Sequence, residues 1–175
     1  MVPCLEERCQ PVVECLARSG VRFLAVGGWA VRFHGRTGRD VGDLDLLVDF
    51  SEENWPGFVK ALQDIRMPVK AFNELANGPR PHQMKLEPLD LLTGIGAFFS
   101  EAQSCTWPTG SGKRPAIASL HGAVSFREAW LDSVEAEFGK QCIPVRVLSR
   151  AHLILSKQDS NREQDLEDMA FLTRF

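Results

Sequence analysis

Apolar residues recur along the chain at spacings of three or four, and these stretches predict helices. Between Pro11 and Gly20 they mark one face of a first helix, with Pro11 in its first turn and Gly20 as its stop. The pattern is clearest between 51 and 65, where Ser51 is expected to cap the helix and apolar side chains follow on one face. A short helix is predicted over 29–34, between two glycine-rich stretches.

Short apolar runs between these helices predict strands. The runs cover 21–26, 43–49, 69–72, 84–92, 134–138 and 143–148. Further along, Ser149 is expected to cap a helix that ends near 157. Asn161, with Gln164 three residues later, predicts the start of the last helix because such a pair forms a capping box.

Length, composition and charge fit one globular domain and exclude several other classes of protein. The chain has 175 residues, of which 44% are hydrophobic and 25% are charged. Its net charge of -3 is not the footprint of general nucleic-acid binding. No apolar run approaches the roughly 20 residues of a membrane helix, and charged residues at 6–8 stand where a signal peptide has its apolar core. We therefore expect a cytoplasmic protein with no membrane partner.

The cysteines are expected to be reduced packing residues. There are five of them, an odd number, and no C-x-x-C pair occurs. The spacings of Cys4, Cys9 and Cys15 fit no common zinc-binding pattern.

Two adjacent glycines, Gly27 and Gly28, lie between the first predicted strand and the short helix. Such a turn brings bare backbone N–H groups and a helix N-terminus to one place, where phosphate binds well. Gly-Gly turns are also common for purely structural reasons, so this feature alone leaves both interpretations open.

Two acidic residues, Asp43 and Asp45, alternate with Leu44 at the start of the next predicted strand. Positions i and i+2 of a strand project from the same face, so both carboxylates point the same way. Two such charges about 4 Å apart repel each other by roughly 4 kcal/mol at an effective dielectric constant of 20. A divalent cation relieves this repulsion, and oxygen ligands favour Mg²⁺ or Mn²⁺. The alternative is a solvated strand face on which the charges cost little.

The order of these features resembles the nucleotidyltransferase superfamily, which shares the catalytic fold of DNA polymerase beta. The resemblance implies an α+β fold with a mixed β-sheet flanked by helices. It also implies that Gly27 and Gly28 hold a nucleoside triphosphate (NTP), ATP among the candidates, while Asp43 and Asp45 bind two Mg²⁺ ions. Arg39 matches an arginine often found in small bacterial members.

A third acid on a later strand completes the site in that superfamily, and Asp90 is the candidate here. It lies in an apolar run, where a charged residue is costly unless it is paired or binds metal. A structural acid is the alternative.

Near the C-terminal end, Lys157, Arg162, Asp165 and Asp168 resemble an ending found in small stand-alone and toxin-type members. Lys157 then reaches a phosphate while Asp165 orients it, or the group is a salt-bridged brace under the core.

The resemblance implies an enzyme that transfers a nucleoside monophosphate from an NTP to an acceptor hydroxyl. An antibiotic-like small molecule, a tRNA and a protein all remain open as acceptors, and the acidic chain makes tRNA the less favoured. The alternative is a non-catalytic nucleotide-binding or antitoxin-like partner protein that retains the fold. Within one domain, we expect the catalytic core over about 20–95, an insertion or lid over 98–122, and closing strands and helices over 123–175. Long loops rich in serine, glycine and proline are usually functional lids or flexible insertions, and a loop that only covers a sheet edge is the alternative.

Overall fold

The computed structural model describes residues 4–49, 51, 53–65, 70–72, 82–86, 89–93, 99–100, 104–105, 119–120, 124–158 and 162–174, with the backbone alone over 70–125 and at 55 and 59. The helices are α1 (Leu5–Arg18), α2 (Gly27–Phe33), α3 (Trp55–Ile65), α4 (Phe126–Leu131), α5 (Arg150–Lys157) and α6 (Glu163–Leu172). The strands are β1 (Phe23–Val26), β2 (Leu44–Val48), β3 (Lys70–Phe72), β4 (His82–Leu86), β5 (Leu89–Thr93), β6 (Phe99–Ser100), β7 (Ser104–Cys105), β8 (Ser119–Leu120), β9 (Val124–Ser125), β10 (Val134–Phe138) and β11 (Ile143–Val147).

Seven of the described strands form one mixed sheet in the order β10-β11-β1-β2-β5-β4-β3. β1 runs parallel to β11, and β2 runs parallel to β5, whereas the other neighbours are antiparallel. The remaining short strands form two separate pairs, β6 with β7 and β8 with β9. This sheet with helices around it confirms the predicted α+β class.

The core lies on both sides of β1, which is buried at each of its four positions. α1 and α3 pack against each other, while α2 packs against β1, β2 and α5, and α5 packs against α6. The largest fully buried side chains are Leu16, Leu24, Leu44, Leu46, Phe58, Phe138, Leu148 and Leu153. Each contributes about 1.5–3 kcal/mol by leaving water.

The prediction that Pro11 opens the first helix is wrong, because α1 begins at Leu5 and Pro11 lies inside it. The start is set by Glu7, whose carboxylate accepts a hydrogen bond from the backbone N–H of Cys4 at 3.1 Å. Proline in a helix interior removes one backbone hydrogen bond. Here Cys9, Val12 and Val13 are buried on either side of it in sequence, and their packing offsets that loss.

Two predicted helix caps are also wrong. Asn54, and not Ser51, precedes α3: its carbonyl accepts from the Phe58 N–H, and its buried side chain bonds the backbone of Arg22. The last helix has Arg162 at its N-cap, one residue later than the predicted cap, Asn161. By contrast, the Ser149 hydroxyl does accept from the N–H of His152, as predicted for α5.

The predicted strand over 84–92 is two antiparallel strands, β4 and β5. The sequence supplies the reason, since Pro88 has no N–H to donate to a sheet. The expected insertion at 98–122 lies mostly outside the described residues, apart from the short strands β6, β7 and β8.

Among the helices in the described part of the chain, none has the length and apolar character that crossing a membrane requires.

Candidate active site

Gly27 lies where β1 passes into α2, and its backbone has a positive φ of 63°. A side chain would be strained in that conformation, and it would also have no room. A Cβ atom built on Gly27 would lie 2.0 Å from Oδ2 of Asp45. The glycine therefore lets the turn after β1 approach the carboxylate of β2 closely.

The register of three neighbouring strands brings the predicted residues together. Val26, the last residue of β1, is paired with Asp45 of β2, and Asp45 is paired with Asp90 of β5. Asp90 is thus beside Asp45 in the sheet although the two are far apart in sequence. The side chain of Asp90 lies outside the described part of the structure.

Asp43 comes just before β2, in a bend that begins at Gly42, and its side chain is exposed. The predicted strand therefore begins one residue later than expected. Asp45 is half-buried, between the fully buried Leu44 and Leu46. The pair combines one carboxylate open to solvent with one held against the Gly27 turn.

These acids fit a site for a hard divalent cation. Carboxylate oxygens are the ligands that Mg²⁺ takes, and the missing Cβ of Gly27 lets the carboxylate of Asp45 lie directly against the turn. Among the side chains that the structure describes, no three His, Cys, Asp or Glu residues form a metal-binding group. The side chain of Asp90, the third ligand expected from the sequence, is not among the described side chains.

Arg39 lies against the second glycine of the turn. A Cβ built on Gly28 would be 3.2 Å from the terminal Nη2 of Arg39, and its next nearest atoms also belong to this guanidinium. The Nε of Arg39 donates to Oδ1 of Asp168 at 3.1 Å, and its Nη1 donates to the carbonyl of Asp40. The side chain is 16% exposed, so a cation faces the turn from a largely buried position.

Asp168 is completely buried and collects three cations. Its carboxylate contacts Arg36, Arg39 and Lys157, the last at 2.9 Å. Burying a carboxylate without partners is prohibitively costly, so these cations are what allow Asp168 to lie at this position. Hydrogen bonding to Glu167, followed by Asp168, also raises the pKa of Arg36 above its ordinary value.

Lys157 is 6% exposed, and its ammonium bridges Asp168 and Asp165. Asp165 is also buried and accepts a bond from Arg162 at 2.6 Å. An ammonium held between two buried carboxylates ties α5 to α6. This geometry favours the brace over a lysine that reaches a phosphate.

The sequence proposes the glycines and the acids as site residues but does not predict the ionic link between Arg39 and α6. It gives Arg36 no role, and it places Asp168 in the C-terminal motif alone. The signal in the sequence was a basic stretch over 36–39 together with buried-face acids on the last helix. This signal shows that the buried acids need basic partners, but it does not show which acid pairs with which base.

Two of the four cysteines whose side chains the structure describes fit the prediction of packing residues. Cys9 and Cys15 are buried, and Cys4 and Cys142 are exposed free thiols. Burial raises the pKa of Cys9 to about 12, so its thiol stays protonated at neutral pH.

Solved structures share this fold. A crystal structure of ANT(2'')-Ia with adenylyl-2''-tobramycin has a TM-score of 0.54 and 14% identity, covering 95% of this chain and 86% of that one. A solution structure of the same antibiotic-resistance factor has a TM-score of 0.53 and 14% identity, with coverages of 95% and 81%. The lincomycin-bound lincosamide adenylyltransferase LnuA has a TM-score of 0.55 and 18% identity, with coverages of 97% and 96%.

The chain thus has the fold of these antibiotic adenylyltransferases over nearly its whole length. This confirms the nucleotidyltransferase-like architecture that the sequence motifs implied. No protein-family model and no curated protein matches the sequence.

Proposed function

We propose that this protein is a Mg²⁺-dependent nucleotidyltransferase that transfers a nucleoside monophosphate from an NTP to a hydroxyl of a small-molecule acceptor. One observation carries the proposal. Neighbouring strands bring the Gly27 turn, Asp45 and Asp90 side by side at the end of β1. A phosphate-binding turn beside paired acids is the combination that this reaction requires.

Each residue has a role that follows from its chemistry. Asp43, Asp45 and Asp90 would hold the divalent ions, which when bound supply Lewis-acid stabilisation of the charge on the triphosphate. The backbone N–H groups at Gly27 and Gly28 bind the β- and γ-phosphates, because a glycine turn lets anions approach closely. Arg39 offsets negative charge next to Gly28.

The reaction balances without a redox partner. The acceptor oxygen forms a bond to the α-phosphorus, and the bond from that phosphorus to the bridging oxygen of the β-phosphate breaks. The electron pair of the broken bond leaves with pyrophosphate. The hydroxyl proton passes to a carboxylate, and we assign this role to Asp90 because strand pairing makes it the neighbour of Asp45.

The acceptor class is inferred from the proteins that share the fold. One was solved with adenylyl-2''-tobramycin and another with lincomycin. Both are hydroxyl-bearing small molecules, and the fold is shared over nearly the full length of this chain. A small-molecule hydroxyl is therefore favoured over tRNA or protein, which the net charge of -3 also disfavours in the case of tRNA.

Pyrophosphate release tests the proposal. Each of the four NTPs is incubated with Mg²⁺ and with aminoglycosides, lincosamides, tRNA or no acceptor. Asp45→Asn is expected to lower the rate at least about 100-fold because it removes one metal ligand. Asp64→Asn is the matched control, since Asp64 is an exposed acid of α3, and it should leave the rate unchanged.

Binding separates the remaining alternatives. NTP binding in the presence of Mg²⁺ without pyrophosphate release would favour the non-catalytic partner protein. Equal rates for wild type and Asp45→Asn would reject the assigned site. Release that depends on tRNA alone would replace the acceptor class and leave the transfer chemistry in place.

A further inference from the structure

We propose that Asp168 is a positioning residue that aims Arg39 at the Gly28 turn and thereby sets the affinity of the site for a triphosphate. This inference rests on the proposed function, because it assigns a task to residues beside the nucleotide site. Asp168 itself is fully buried, so it acts through Arg39 and not by touching the nucleotide.

The three nitrogens of the Arg39 guanidinium have different surroundings. Nε donates to Asp168, Nη1 donates to the carbonyl of Asp40, and Nη2 is the atom nearest to a Cβ built on Gly28. A guanidinium is planar, so fixing two of its nitrogens also fixes the direction of the third. The two acceptors therefore direct Nη2 to the turn.

Asp168 is suited to this task because it cannot move freely. It lies on α6 with no exposed surface, and it also bonds Arg36 and Lys157. Lys157 comes from α5, whereas Arg36 and Arg39 come from the loop between α2 and β2. The carboxylate thus joins the last two helices to the loop that leads into the Asp43–Asp45 pair.

Arg36 provides the internal comparison. It shares the Asp168 carboxylate with Arg39, and its other bond is to Glu167 at 2.6 Å. The three atoms nearest to a Cβ on Gly28 all belong to Arg39. A change at Arg36 disturbs the same ionic cluster without changing the group that faces the turn.

Calorimetry with Mg²⁺ and a non-hydrolysable ATP analogue tests the first step, with AMP as the second ligand. Arg39→Lys keeps the charge but removes the planar fork. It is expected to raise the Kd of the ATP analogue at least about tenfold, the loss of one charge-assisted hydrogen bond of about 1.4 kcal/mol. The Kd of AMP, which has no β- and γ-phosphates, should change less than twofold. Arg36→Lys should leave both values within about twofold.

Asp168→Asn tests the positioning role itself. We expect it to weaken the ATP analogue as much as Arg39→Lys does, and the double variant should be no weaker than either single variant. The ratio of the two Kd values is the readout, because a general loss of folded protein lowers both affinities equally. If Asp168→Asn does not fold, Arg36→Met/Asp168→Asn removes one charge of each sign, and Arg36→Met is its reference.

The outcomes separate this inference from the function on which it rests. If wild type binds no NTP, both are overturned. If wild type binds the ATP analogue and the Asp168 variant has the same ratio of Kd values, only the positioning role is overturned. Additive losses in the double variant would likewise show that Asp168 and Arg39 act independently.

Discussion

Gly27 is the residue at which the turn after β1 contacts the carboxylate of Asp45. Gly27 meets two demands at once: its φ is positive, and the carboxylate of Asp45 lies where a Cβ atom would be. The sequence predicted that this position matters because Gly-Gly follows a strand. It did not predict the contact with Asp45, since strand register is a property of the assembled sheet.

Gly27→Ala is therefore expected to be much more harmful than another glycine substitution at positive φ. Gly20 is the matched control, because its φ is 67° and a Cβ there meets no atom within 4 Å. Gly20→Ala should cost about 1–2 kcal/mol of unfolding free energy, the backbone strain alone. Gly27→Ala should lower the unfolding free energy by more than Gly20→Ala does, because its Cβ also clashes with Asp45. It should also abolish NTP binding. Urea unfolding and calorimetry measure both, and equal costs at the two positions would contradict the clash.

At the scale of elements, α1 is fixed to α2 by one carboxylate. Glu6 accepts a bond from the indole of Trp29 at 3.1 Å and pairs with Arg32. Burial alone would raise the pKa of Glu6, but the hydrogen bonds from its own backbone and Trp29, and the charge of Arg32, lower it below its ordinary value of 4.5. The charged form therefore stabilises the folded state.

Glu6→Gln should reduce stability by about 1 kcal/mol at pH 7. The folded-state pKa is depressed, so the contribution is complete above the ordinary pKa and is lost as pH falls through the folded-state value. The difference from wild type should accordingly shrink below pH 4.5. Glu14→Gln is the control on the same helix, with an exposed Arg18 partner at 3.8 Å. Urea unfolding across pH checks this, and a difference that does not depend on pH would contradict it.

The brace between α5 and α6 gives a second prediction about elements. Lys157→Met leaves two buried carboxylates short of a cation and should cost about 3–5 kcal/mol. Arg162→Gln removes a partner of the same Asp165 from a side chain that is 82% exposed, and should cost less than about 1 kcal/mol. Similar losses of unfolding free energy in urea, together with weaker NTP binding by Lys157→Met, would support Lys157 as a phosphate ligand instead.

Element boundaries show where local patterns stop being informative. The strand predicted over 134–138 matches β10 to the residue, and β10 is an edge strand, which has one neighbour in the sheet. Proline favours the first turn of a helix, so the local pattern predicts a helix start at Pro11. In the folded chain, the buried neighbours of Pro11 extend α1 past it in both directions. Tertiary packing therefore sets the start of α1, and a short window of sequence carries no information about that packing.

For the whole molecule, the stretch from 98 to 122 remains a prediction from sequence. If it is an acceptor-side lid, deleting 106–114 should leave the Kd of the ATP analogue within about twofold and raise the KM for the acceptor. Circular dichroism and thermal melting provide the folding control. Loss of NTP binding together with loss of folding would show that the segment belongs to the core.

The parallel pairing of β1 with β11 has a consequence for how the protein is made. Leu24 pairs with Arg146, so β1 cannot pair with β11 until most of the chain has been synthesised. Until β11 leaves the ribosome, one edge of β1 presents unpaired backbone groups to other chains. A nascent chain that stalls before Ile143 would therefore expose an unpaired, aggregation-prone strand edge. Chaperones that bind the apolar segments of nascent chains are expected to bind at this edge.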